Sequence, residues 1–70
     1  MNILNSRIVY APENLSSEAI YAQWQYLLYE KTKFPGTPFL DIQIAAYEKE
    51  MIRRGGNLLD FIEKELEKLI

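Results

Sequence analysis

Residues 38–57 read PFLDIQIAAYEKEMIRRGGN, and this run organises the rest of the chain. Leu40, Ile44, Tyr47 and Met51 recur at i, i+4, i+7 and i+11, the spacing of one face of an α-helix. Phe39, Ile42, Ala45, Ala46 and Ile52 add apolar surface elsewhere around the same cylinder. A helix apolar on more than one side is normally sandwiched between neighbours. The run therefore predicts a central helix over 38–54. Gly55-Gly56 stops it, with Gly55 expected at the position just past the helix, where a left-handed backbone is needed.

Working outward, Asn57 is placed to cap a third helix over 58–70, with Asp60 reaching back as in a capping box. Leu58, Leu59, Ile62, Leu66, Leu69 and Ile70 form one broad stripe on it, and Asp60, Glu63, Lys64, Glu67 and Lys68 lie opposite. On the other side of the central helix, Phe34-Pro35-Gly36-Thr37-Pro38 is a connector. Pro-Gly is a turn signal, and Thr37-Pro38 reads as an N-cap followed by proline at the first helical position. The first helix is expected over 17–32, capped by Ser16, with a staple between Leu15 and Ile20 and with Glu18 in its first turn. Ile20, Trp24, Leu27 and Leu28 form its core face, and Lys31 and Lys33 suit its negative end.

The expected fold is thus all-α: a small three-helix domain over 15–70 preceded by an N-terminal arm over 1–14. In the arm, Leu4, Ser6, Ile8 and Tyr10 would share one face of a β-strand, but an extended arm packed on the helices fits as well. Pro12 ends any ladder because it has no N–H to donate.

Composition narrows the function. With 49% hydrophobic and 26% charged residues, the 70-residue chain is too apolar for a disordered class. A core this small usually relies on a disulfide, a metal, a second chain or tight helix packing. No Cys and no His are present, which removes disulfides, thiolate zinc sites and the commonest transition-metal ligand. No apolar run exceeds four residues, far short of the roughly 18 that span a bilayer. The N-terminus lacks the basic start and apolar stretch of a signal peptide, so the expectation is a cytoplasmic protein without membrane contact.

Without His or Cys, the common nucleophile and base arrangements are missing, and no enzymatic activity and no cofactor are expected. The carboxylate pairs Glu48/Glu50 and Glu63/Glu67 fall by periodicity on exposed helix faces, as solvated charge. The second and third helices could pass for a helix-turn-helix. However, Asp60, Glu63, Glu65 and Glu67 outnumber Lys64 and Lys68, and the resulting −2 equals the net charge of the whole chain. An acidic recognition helix opposes duplex DNA.

Two features stand out as binding surfaces. Tyr26 and Tyr29, with Ala22, fall opposite the core face of the first helix. Tyrosine gives a large contact area at low entropy loss, so these residues, with Tyr21 and with Ile8 and Tyr10 of the arm, form a candidate protein interface. The alternative is that the arm folds back over the rings. The second feature is the corner Arg53-Arg54-Gly55-Gly56-Asn57, where two guanidinium groups, glycine N–H groups and a helix N-terminus resemble an anion site. Its plainer reading is that the arginines offset the helix dipole and the glycines make the turn.

Leu15-Ser16-Ser17-Glu18, an aromatic helix, a connector and then Glu48-Lys49-Glu50-Met51-Ile52-Arg53-Arg54 together resemble the Sda-type helical hairpins. That family inhibits sensor histidine kinases of the sporulation pathway, so the resemblance implies a kinase-inhibitor hairpin. It covers residues 15–54. The connector here is longer, the arm and third helix have no counterpart, and no site residue carries over.

The expected function is a small protein–protein interaction module. It would be a regulator or inhibitor, of the kind phages and mobile elements encode, or an accessory subunit. The expected partners are another protein and a second copy of the chain, with a homodimer favoured. The alternative classes are a nucleic-acid-binding module using Arg53, Arg54, Lys31 and Lys33, and an anion sensor at the Arg-Arg-Gly-Gly corner.

Overall fold

The structure, a computed structural model, describes residues 12–69. It is all-helical: a 3-10 turn at Pro12–Asn14, then α1 (Ser17–Lys33), α2 (Pro38–Gly55) and α3 (Leu58–Leu69), with no strand among the described residues. The expected arm, with Ile8 and Tyr10, lies outside the described residues up to position 11. Its last three residues are the 3-10 turn, which packs against α2 with Pro12 buried.

Local chemistry sets the helix ends. The Ser16 hydroxyl accepts the Ala19 N–H at 3.1 Å and starts α1, as its cap position predicts. Thr37 occupies the N-cap of α2 with Pro38 next, but its hydroxyl donates back to the Phe34 carbonyl at 2.9 Å and so does not cap the helix. Gly36 sits at φ +84 in the connector. Asn57 Oδ1 accepts the Asp60 N–H at 2.8 Å, and Asn57 Nδ2 donates to Asp60 Oδ2 at 3.0 Å. The two residues therefore close on each other, with the Asp60 carboxylate bound to the Asn57 amide group.

The stop after α2 falls one residue later than the sequence suggests. Gly55 is still helical, and the left-handed residue is Gly56, at φ +91. The reason is tertiary. A Cβ on Gly55 would lie 2.9 Å from both the Cβ and the N of Phe61. Gly55 is small because α3 crosses there, and Gly56 supplies the left-handed turn.

α2 is the central element, packing against α1, α3 and the 3-10 turn. The core is Ile20 and Leu27 of α1, Ile44, Tyr47 and Met51 of α2, and Phe61 of α3, closed by Leu15, Tyr21, Trp24, Leu40, Leu58 and Ile62. Three placements differ from the sequence reading. Leu28 is exposed, and Tyr21 packs on the core in its stead. Glu50, expected in solvent, is buried on α2 beside the apolar row, as is Gln43. α3 turns Phe61 and Glu65 inward and leaves Leu59, Leu66 and Leu69 exposed. At ~100° per residue, the buried pair Phe61 and Glu65 is rotated about 100° from the leucine stripe of α3. Phe61 covers more core than a leucine can. Glu65 enters because Lys68 meets its carboxylate at 3.0 Å.

Two substitutions test this packing. Gly55→Ala forces backbone apart at Phe61 and should destabilise by about 1–3 kcal/mol in chemical denaturation. Tyr47 is fully buried, and its hydroxyl has no hydrogen-bond partner among the described residues. Tyr47→Phe should therefore leave stability unchanged or raise it by about 1 kcal/mol, and a loss would show that the hydroxyl is satisfied.

Candidate functional site

The face of α1 opposite Ile20 and Leu27 carries Ala22, Tyr26 and Tyr29. Tyr26 is 59% and Tyr29 54% exposed, so the core is complete without them. Lys33 Nζ stands 4.9 Å from the centroid of the Tyr29 ring, a cation–π contact that restrains it. The hydrogen bond to Glu30, followed by that carboxylate's charge, raises the Tyr26 phenol above its ordinary value and keeps it protonated. Ala22 lies between two shallow depressions. One is shared with Gln23 and Tyr26, and the other runs between α1 and α3 beside Tyr21, Glu65, Lys68 and Leu69. Tyr21 is set apart from the other two tyrosines. It is half-buried and stacks on Trp24 at 6.0 Å between centroids and 27° between planes.

The corner of Arg53, Arg54, Gly55, Gly56 and Asn57 is built around a residue the sequence reading assigned to solvent. Glu50 is only 7% exposed. Arg53 Nε donates to its Oε1 at 2.9 Å, and Arg54 Nε donates to its Oε2 at 2.6 Å. The remaining Arg54 donors reach Ser17 Oγ at 3.1 Å and the carbonyls of Leu15 at 2.7 Å, Glu13 at 3.3 Å and Pro12 at 3.4 Å. Arg54 thereby ties the chain before α1 to the end of α2. The hydrogen bonds from Arg53, then those from Arg54, and the two positive charges hold the Glu50 carboxyl at about 2 against the opposing effect of burial. The signal for this cluster was present in the sequence as a glutamate three and four residues before two arginines.

Glu48, also expected in solvent, accepts the Trp24 indole N–H at 3.0 Å and joins α2 to α1. Glu63 and Glu67 are exposed, as their spacing predicts. Among the described residues no three carboxylates gather in a way that could hold a metal, and no helix is long and apolar enough to cross a membrane. Comparison with known protein families, curated proteins and solved structures finds no match for this chain.

The pH response of Glu50 follows from its depressed value. Its folded value, about 2, lies below the ordinary 4.5 of the unfolded chain. The stability it contributes is therefore fully present above about pH 5 and is lost as pH falls through 4.5 toward 2. The difference in unfolding free energy between the wild type and Glu50→Gln should be constant at neutral pH and shrink across that window. A difference independent of pH would show that Glu50 acts through packing alone.

Proposed function

We propose that the chain is a non-enzymatic protein–protein interaction module, a small regulator or inhibitor or an accessory subunit, which meets its partner through Ala22, Tyr26 and Tyr29 of α1. The observation that carries this reading is the pair of phenol rings held more than half exposed on a face the core does not need. Exposed aromatic rings beside a small residue and shallow depressions are the composition of an interface centre. Lys33 and Glu30 hold the rings at small further entropy loss on binding.

The side chains left over favour binding over catalysis. The chain has no His or Cys, and its paired carboxylates are engaged or solvated: Glu50 by Arg53 and Arg54, Glu48 by Trp24, Glu63 and Glu67 by water. The arginine corner supports an anion or nucleic-acid reading less well, because Glu50 occupies donors of both guanidinium groups and offsets one of their two charges. Cytoplasmic residence belongs to the same proposal and is supported by the cysteine-free sequence.

The test is affinity capture from cells of the source organism, with wild-type protein and with Tyr26→Glu/Tyr29→Glu as baits. Both residues are exposed, so the variant should keep its helical circular dichroism, with stability within about 0.5 kcal/mol. Expected is a stoichiometric partner retained by the wild type and lost by the variant. Equal retention by both baits would remove the tyrosine face from the reading.

A further inference from the structure

Two exposed helix faces have matching spacing and opposite charge. On α3 the ridge Leu59, Ile62, Leu66 and Leu69 advances by three, four and three residues, with Leu59 64%, Leu66 45% and Leu69 76% exposed and Ile62 half-buried against the core. On the outer side of α2, Ile42, Ala45, Lys49 and Ile52 advance by the same steps, and Ile42 is 62% exposed. This is the spacing by which two helices interdigitate along a seam at a small crossing angle.

The charges beside these faces are complementary. Most ionic groups of the described chain are already engaged: Lys31 with Asp41, Arg53 and Arg54 with Glu50, Lys68 with Glu18 and Glu65, and Lys33 with the Tyr29 ring. Lys49, at the centre of the α2 stripe, makes no ion pair among the described residues. Neither do Glu63 and Glu67, which stand four residues apart along the acidic flank of the α3 ridge and repel each other weakly. Two α3 ridges packed on each other would bring these carboxylates together. An α2 stripe on an α3 ridge instead brings an unpaired ammonium to an unpaired carboxylate pair.

We infer that the α3 ridge of one protomer receives the α2 stripe of a second copy of this chain, with Lys49 of each copy meeting Glu63 and Glu67 of the other. Reciprocal exchange makes the contact isologous, so it closes as a two-fold dimer and every pairing occurs twice. A single polar residue within an apolar seam fixes register, and Lys49 has that role here. The contact does not use Tyr26 or Tyr29, although Leu69 at the end of the ridge borders the depression that Ala22 also lines.

The test is molar mass by light scattering and sedimentation on the full chain, up to about 100 μM, a range that detects weak self-association. The wild type should reach dimer mass. Leu59→Glu with Leu69→Glu changes only exposed side chains and should give a helical monomer. Lys49→Glu should weaken the dimer at least about tenfold, because each reversal acts at two symmetric sites. Combining Lys49→Glu with Glu63→Lys and Glu67→Lys should restore the dimer, in whichever direction the helices run. Tyr26→Glu/Tyr29→Glu should keep dimer mass. A wild type that is monomeric at every concentration overturns the inference and leaves the ridge to a different protein. It is equally overturned by a dimer indifferent to Lys49→Glu, or by one that the tyrosine substitutions dissociate.

Discussion

The Glu50–Arg54 pair is the constraint on which the rest of the structure depends. Glu50 is buried on α2, so its carboxylate needs donors, and the next turn of the same helix supplies them in Arg53 and Arg54. A salt bridge confined to one helix would contribute little. Arg54 makes it consequential, because the guanidinium donors that Glu50 does not take go to carbonyls of the segment before α1 and to Ser17, 37 residues away in sequence. The planar fork of five donors suits this role, and a lysine at the same position could not span a carboxylate and several carbonyls at once. Burying an ion pair adds little net stability compared with an apolar pair, whereas removing one partner of it is strongly destabilising. Here the pair and the further donors of Arg54 link the entry to α1 with the end of α2 in a chain with no disulfide.

This arrangement explains which surfaces stay exposed. α2 packs against three neighbours, of which α3 and the 3-10 turn are shorter than it by a third or more. Its inner face takes Ile44, Tyr47 and Met51 with Gln43 and Glu50 beside them, so part of the buried perimeter goes to polar groups. The apolar residues displaced from that perimeter, Phe39, Ile42 and Ile52, remain outside. The same exchange occurs on α3, where Phe61 and Glu65 go inward and Leu59, Leu66 and Leu69 stay out. A domain of this size has too much surface for its volume to bury every large side chain. The composition of the excluded set is thus a consequence of which residues the core selects.

The sequence made the fold legible where structure is set locally. Ser16 and Asn57 mark helix starts through cap chemistry that acts over three residues, Pro38 marks one by its fixed φ at the first helical position, and α1, α2 and α3 begin where those signals place them. The outward face of Tyr26 and Tyr29 follows from helical period alone. What was not legible depends on contacts between elements. Periodicity treats all apolar residues alike, so it assigned the core face of α3 to its leucines. The choice of Phe61 is made by its close approach to Gly55, which no local pattern encodes. The pattern places Glu50 in solvent because it ranks a carboxylate as polar whatever stands three and four residues on.

The division between a structural and a presented face on each helix also bears on selectivity. Exposed apolar residues invite any apolar surface, which for a small protein means indiscriminate association. On α2, Lys49 interrupts the stripe of Ile42, Ala45 and Ile52. A wholly apolar surface laid against it would strip water from an ammonium and return no partner, which is unfavourable. A surface that brings carboxylates to that point meets no such penalty. On α3, Glu63 and Glu67 impose the converse requirement beside the leucine ridge. Each face is therefore permissive in shape and restrictive in charge, and charge is what tells one helical surface from another when both follow the same period.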